Sequence, residues 1–447
     1  MPKNNQTTRR TFMKAATTTA LAGNIKPARA AGKKIRLALL GCGKITQMNV
    51  PLLQPRIDAG DLEIVACCDL YNKRLREMAE KTGARPYRLY KEMLAKEDID
   101  FVYIGTPDHW HAKMTMDCIA AGLDVVVEKG MTRTTDEAKT VYNAVRNSGC
   151  IFTAGSRSLR HGAYWNARDV VKTGVLGKLL WAQTSTARNY PVQDVIIPSA
   201  QPTGEEGSAG PLGTGDNNIL WDEYHGPGPI RNWEPDRFFN WRWFWDYSTG
   251  LSGDLLWYNI ADILLAVGPR FPLRVTATGN NHLRPLQETP DLFFSTITFE
   301  DDFYLNMMYS RISDHGWSDI IMGHEAALYF SGSHYGISGD GCILAPERRF
   351  EKDFRAKCER LGLQGEWQTF KRDVYRGPNR GTYETDALYF PGFNRPASSI
   401  DKFIDCVRDR KKMVMDETFS YQVMQTVGMS VDALKRNQVE RFDPPRV

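Results

Sequence analysis

Gly41 and Gly43 are the first residues of this chain whose types and spacing point to chemistry. They stand in Leu39-Leu40-Gly41-Cys42-Gly43-Lys44-Ile45-Thr46, after a short apolar run and before a helical one. A glycine at 41 permits a tight turn. One at 43 lets the backbone, with Lys44 and Ile45 following, approach a diphosphate lodged at a helix N-terminus. Thr46 occupies the place of a third glycine, so the fingerprint is incomplete. Asp69 ends the next apolar run, where a carboxylate accepts hydrogen bonds from ribose hydroxyls and repels a 2′-phosphate. The set reads as a dinucleotide site that favours NAD, with Arg74 leaving NADP open and helix capping as the other role for Asp69. His109 and His111 lack carboxylates at ligand spacing and no Cys-x-x-Cys occurs, so packing at a helix start is expected of them and no metal.

These residues need a frame. The runs 35–40, 62–68, 101–105, 124–127 and 151–154 are short, apolar and rich in β-branched or aromatic residues, as strands buried on both faces are. Helical stretches at 72–81 and 136–147 separate them, the second preceded by the capping residues Thr134 and Glu137. Such alternation predicts an α/β chain with a doubly wound parallel sheet over residues 34–155. Beyond Gly155 the texture changes. Runs at 293–299, 303–309 and 326–330 read as antiparallel strands, the first two joined by a turn at Glu300-Asp301-Asp302, and the chain ends in helices. Residues 156–447 are therefore expected to form an α+β domain with a large, mostly antiparallel sheet. Positions 198–218 hold five glycines and three prolines in 21 residues, a long loop of a kind that is often functional.

Composition limits the partners. The 447 residues carry 57 Lys+Arg against 53 Asp+Glu, a formal charge of +4, which gives no reason to expect nucleic acid. No apolar run after the N-terminus approaches the roughly 20 residues that span a bilayer, so no membrane anchor is expected in the mature chain. The eight cysteines are scattered, and buried free thiols are expected of most. At the N-terminus, Arg9-Arg10 precedes Phe12, Lys14 and an Ala/Thr stretch, and Ala28-Arg29-Ala30 offers a cleavage site. Residues 1–30 thus read as a signal for the twin-arginine export machinery, with the periplasm as destination. That route carries proteins already folded, often around a tightly held cofactor.

Gly105-Thr106-Pro107-Asp108-His109-Trp110-His111 and Val126-Val127-Glu128-Lys129-Gly130 resemble the Gfo/Idh/MocA superfamily of sugar oxidoreductases, and the resemblance runs from about Lys34 to the C-terminus. Trp221-Asp222, Gly226-Pro227-Gly228-Pro229, Arg237-Phe238-Phe239 and Trp241-Arg242 look like its exported members. The resemblance implies that Thr106 and Pro107 line the nicotinamide side of the cofactor. It also implies that Glu128-Lys129 matches the family's Glu-Lys-Pro, whose lysine reaches between nicotinamide and substrate. Gly130 stands where that proline would be. Asp254-Leu255-Leu256-Trp257-Tyr258 matches the family's second element in its tyrosine version, and His111 falls near the sugar or the helix cap.

A chemistry follows from that resemblance. Oxidising a carbinol needs an acceptor for the hydroxyl proton, and a tyrosine hydroxyl with an ordinary pKa of about 10 becomes a better one beside a lysine cation. Tyr258 would exchange the proton, Lys129 would stabilise developing negative charge, and Asp254, one helical turn before Tyr258, would orient them or hold a sugar hydroxyl. Of the aromatic residues between Trp233 and Tyr247, most are expected in the core and one or two in the pocket. The expected function is an NAD(P)-dependent oxidoreductase acting on a sugar or sugar derivative, with further copies of the chain in a homo-oligomer as the expected partners besides carbohydrate. Two rivals stand beside it: redox-neutral, NAD-dependent glycoside cleavage, and carbohydrate binding without catalysis.

Overall fold

The computed structural model describes residues 33–155, 162–189, 208–330, 341–376, 379–392 and 399–444. The proposed export signal and residues 198–207 of the glycine-rich loop lie outside them.

The first apolar runs form β1 (Ile35–Leu40), β2 (Leu62–Cys68), β3 (Arg85–Tyr87), β4 (Phe101–Ile104), β5 (Asp124–Val127) and β6 (Phe152–Ala154). They pair in parallel in the order β3-β2-β1-β4-β5-β6. Strand order reverses between β1 and β4, and in open sheets of this kind the crevice beyond the strand ends at that point binds ligands. The connecting helices include α1 (Lys44–Asn49), α2 (Asn72–Thr82), α3 (Asp108–Ala120) and α4 (Thr135–Ser148). At the head of α4, Thr134 accepts from the Glu137 N–H while the Glu137 carboxylate accepts from the Thr134 N–H. Such a cap contributes about 1 kcal/mol. Ala138, Val141, Tyr142 and Val145 form the buried stripe of that helix.

The second sheet has ten strands: β7 (Leu179–Ala187), β8 (Pro272–Asn280), β9 (Leu292–Phe299), β10 (Tyr304–Ser310), β11 (Ile320–Gly323), β12 (Ala326–Phe330), β13 (Cys342–Pro346), β14 (Glu366–Arg376), β15 (Asn379–Phe390) and β16 (Glu440–Arg441). All its pairs are antiparallel except β7 with β10. On one face lie α5 (Gly162–Lys172), α7 (Gly250–Val267) and α9 (Glu417–Arg436), with the short α6 (Trp221–Tyr224) in the connection between β7 and α7. The molecule is thus an α/β Rossmann sheet joined to a large, mostly antiparallel sheet.

Chain order separates the two sheets near residue 155, but the C-terminal helices return to the first. Phe403 of α8 (Ser399–Asp409) packs on Phe101 of β4 with ring centroids 5.4 Å apart. The Ser420 hydroxyl on α9 accepts from the Ala154 N–H at 3.2 Å, and Arg410 pairs with Asp124. All eight cysteines are free thiols, six of them buried and Cys150 and Cys406 partly so. No helix among the described residues is long and apolar enough to cross a membrane.

Candidate active site

The glycine turn after β1 is built by three residues acting together. Gly41 has φ +86°, and a Cβ there would lie 2.9 Å from the carbonyl of Gly105. Thr46, buried in α1, donates its hydroxyl to the Gly41 carbonyl at 2.6 Å and so closes the turn. Room for that hydroxyl comes from Gly105 at the end of β4, where a Cβ would stand 2.5 Å from Thr46 Oγ1. The glycine missing from the helix is therefore supplied by the neighbouring strand. A Cβ at Gly43 would meet no atom within 4 Å, so that residue faces open space of the sort a diphosphate needs.

Asp69 braces this turn. Its carboxylate accepts from the Cys42 N–H at 2.7 Å and from the Tyr71 N–H at 2.8 Å, where α2 begins. Each carboxylate oxygen keeps a further lone pair, so bracing and ribose binding are compatible at one residue.

Beyond the turn lies a cavity of about 490 Å³. Gly41, Gly43, Lys44, Ile45, Asp69, Thr106, Pro107, Glu128 and Lys129 line it from the first sheet's loops. Phe238, Phe239, Trp241 and Arg242 face them from the second half of the chain, while Trp243, Phe244 and Tyr247 are buried in the core. Glu128 is held from behind by the Tyr103 hydroxyl, which donates to it at 2.7 Å.

Lys129 follows β5, and its peptide bond to Gly130 is cis. Its ammonium forms a buried ion pair with Asp254 of α7, and Arg242 Nε lies 3.2 Å from the same carboxylate. Burial alone would push the Asp254 pKa up, but Arg242 and Lys129 outweigh it and hold the group below the usual carboxylate range. One turn along α7, Tyr258 presents its ring to the same ammonium, 5.3 Å from the centroid. Asp254 and Tyr258 thus share one face of α7 and meet Lys129 together, just behind the cavity wall.

Two members of this cluster carry no role in the sequence reading. Arg242, singled out in the sequence only as part of Trp241-Arg242, sits in an aromatic stretch with its guanidinium 4.0 Å from the Trp241 ring centroid. Asp108, in the first turn of α3, is fully buried and accepts from the Thr249 N–H at 3.2 Å. Burial, reinforced by Asp254, pushes its pKa up to about 7, against the pull of Arg242 and Lys129.

His111 stands apart from the cavity wall. Its Nδ1 lies 2.6 Å from the Gly130 carbonyl and its Nε2 2.8 Å from that of Thr106, so the ring ties together the two turns that carry Lys129 and Pro107. His109 Nε2 meets the Tyr224 carbonyl at 2.8 Å, and burial pushes its pKa down to about 3. Among the described residues no group of three or more His, Cys, Asp or Glu is arranged to hold a metal.

Residues 208–247 form a strap across the mouth of the crevice. Ile219 makes an antiparallel bridge with Tyr71, the Leu220 N–H donates to the Leu70 carbonyl at 3.0 Å, and the Asn72 N–H donates to the Asn218 carbonyl at 3.1 Å. At the far end, the Trp110 indole N–H donates to the Tyr224 carbonyl at 2.8 Å, and the His109 N–H to the Tyr247 carbonyl at 3.1 Å.

Comparison with known proteins bears on the fold and on the first domain. Residues 35–156 match the GFO_IDH_MocA model, described as an oxidoreductase family with an NAD-binding Rossmann fold. A dTDP-3,4-didehydro-2,6-dideoxy-alpha-D-glucose 3-reductase of Actinomadura kijaniata is 27% identical over 146 residues, 32% of this chain and 43% of that protein. A glycosyl hydrolase family 109 protein of Stenotrophomonas maltophilia is 28% identical over 169 residues, 35% of this chain and 37% of that one. In both cases the match spans less than half of the relative. The structure of the WlbA dehydrogenase of Bordetella pertussis, in complex with NADH and UDP-GlcNAcA, superposes with a TM-score of 0.65 at 16% identity, covering 93% of this chain and 100% of that one. At that identity the likeness is one of fold.

Proposed function

We propose that the protein is an NAD(P)-dependent oxidoreductase acting on a sugar or sugar derivative. The observation that carries this reading is Lys129, which lines the cavity that the glycine turn opens while its ammonium is held by Asp254 and the ring of Tyr258. A nicotinamide dinucleotide bound in the cavity would supply the hydride chemistry, leaving orientation and charge to the protein. Gly41, Gly43, Lys44 and Ile45 would hold its diphosphate, Asp69 a ribose, and Thr106, Pro107 and Glu128 the nicotinamide end. The carboxylate of Asp69 favours NAD over NADP, and comparing NADH with NADPH in a binding titration tests that preference.

Lys129 stabilises negative charge on the substrate oxygen. Asp254 fixes the direction of its ammonium, and Tyr258 exchanges the substrate proton. His111 acts through the turns that it holds. The test is to replace Lys129 and Tyr258 separately in protein that retains cofactor. Sugar turnover persisting through both changes rejects the assignment.

The glycosyl hydrolase relative supports a second reading, redox-neutral glycoside cleavage. Release of sugar from a glycoside with no net change in NADH distinguishes it. We also propose twin-arginine export to the periplasm, supported by Arg9-Arg10 and Ala28-Arg29-Ala30; the secreted chain would then begin at Ala31. Self-association through the open face of the second sheet is supported by the exposed Tyr304 of β10 and the partly exposed Trp181 opposite it on β7, and sedimentation tests it.

A further inference from the structure

We infer that the strap is part of the cofactor site: it forms the outer wall of the dinucleotide crevice and keeps the cofactor in place through successive turnovers. This rests on the oxidoreductase reading and adds to it an element from outside the Rossmann sheet.

Three observations carry the inference. First, the strap bridges the whole crevice. One end is stitched to the segment after β2, beside Asp69, and the other to the head of α3, beside Pro107. A ligand running from Asp69 to Pro107 therefore lies beneath a continuous stretch of backbone fixed on both sides. Second, the strap supplies wall. Phe238 and Phe239 line the same cavity as Gly43, and the guanidinium carbon of Arg74 on α2 lies 5.5 Å from the Tyr71 and Phe238 centroids and 5.7 Å from that of Phe239. The three rings stand edge to face around the guanidinium, and together they make a cationic and aromatic cluster at the ribose end against which a purine can pack. Third, the strap is fitted closely where it crosses α3. Gly226 has φ +47°, and a Cβ there would come within 2.4 Å of the Trp110 ring. Only glycine lets the strap lie so low over that helix.

At the ribose end the backbone bridge of Ile219 to Tyr71 is buried, and a side-chain tie there is open to solvent. Arg76 pairs with Asp216 at 2.8 Å with both side chains nearly half exposed, and Arg88 donates to the Asn218 side chain at 3.0 Å. The strap therefore opens from that end, while the buried bonds to Tyr224 and Tyr247 act as its hinge.

The experiment is stopped-flow release of NADH from the full-length protein, chased with excess NAD, for the wild type and for Asp216→Ala/Asn218→Ala. With the strap as a gate, the double variant accelerates both release and binding by about tenfold, so that Kd moves much less than either rate. Gly226→Ala, which lifts the other end, should accelerate release in the same way. Thermal unfolding confirms that each variant is folded. Release from the wild type faster than turnover, or unaltered in both variants, overturns the strap's role and leaves the oxidoreductase reading standing. A wild type that binds neither NADH nor NADPH overturns both.

Discussion

Lys129 and Asp254 lie 125 positions apart in sequence and meet as a buried ion pair where the two halves of the molecule join. The pair does two things at once. It fixes the side chain of a residue that lines the cavity, and it ties the turn after β5 to α7.

Breaking the pair should separate these roles. Lys129→Met leaves Asp254 with Arg242 alone, and loss of one partner of a buried pair costs about 3–5 kcal/mol. Turnover should fall by at least about a hundredfold, the usual scale for a catalytic charge. Urea unfolding and steady-state kinetics on the same preparation check both, and undiminished turnover would contradict the assignment.

Gly41 and Gly43 should fail differently. Gly43 lines the cavity, and a Cβ there would meet no atom within 4 Å. Gly43→Val should therefore leave the unfolding midpoint close to that of the wild type and weaken NADH binding by tenfold or more, about 1.4 kcal/mol on the scale of binding free energies. Gly41→Ala puts a side chain where φ is +86° and Gly105 is in the way, so it should cost about 1–3 kcal/mol of stability. A fluorescence titration beside a thermal melt tells the two apart.

Thr46 and Gly105 should be energetically coupled. Gly105→Ala alone drives a methyl into the Thr46 hydroxyl, and overpacking of this kind costs about 1–3 kcal/mol. Adding Thr46→Gly removes the obstacle, so the double variant should be more stable than the sum of the single changes allows. A double-mutant cycle measures the interaction, and strict additivity would show that the two positions do not compensate each other.

Asp108 gives the protein a stability that depends on pH. Its folded pKa of about 7 lies above the ordinary value of 3.8, so the folded state holds a proton that the unfolded chain has lost. The contribution is complete below about pH 4 and declines as pH rises through 7. At 1.36 kcal/mol per unit, Asp108→Asn should gain about 3 kcal/mol on the wild type between pH 5 and pH 8. Urea titrations at the two values measure it, and parallel behaviour of the two proteins would contradict the burial argument.

The strands of the first sheet are legible in the sequence because strands buried on both faces are continuous apolar runs, from Ile35 to Ala154. β3 leaves no such trace: Arg85-Pro86-Tyr87 is short, contains a proline and lies at the sheet edge with two of its residues exposed. The glycine turn and Lys129 are legible as local patterns. Arg242, Asp108 and the strap are not, because what distinguishes them is a partner far along the chain. Arg76 finds Asp216 at a separation of 140 residues, and no periodicity records that. The role of His111 is hidden for the same reason. A histidine near a glycine-rich turn suggests ligand binding, and only the positions of two carbonyl groups reveal a brace.

The return of α8 and α9 to β4 and β6 has a consequence for biogenesis. Phe403 covers Phe101, and Arg410 neutralises Asp124. Until the C-terminal helices have been made, the nucleotide half lacks these partners for Phe101 and Asp124. Loss of the chain's last helices would strip both halves together.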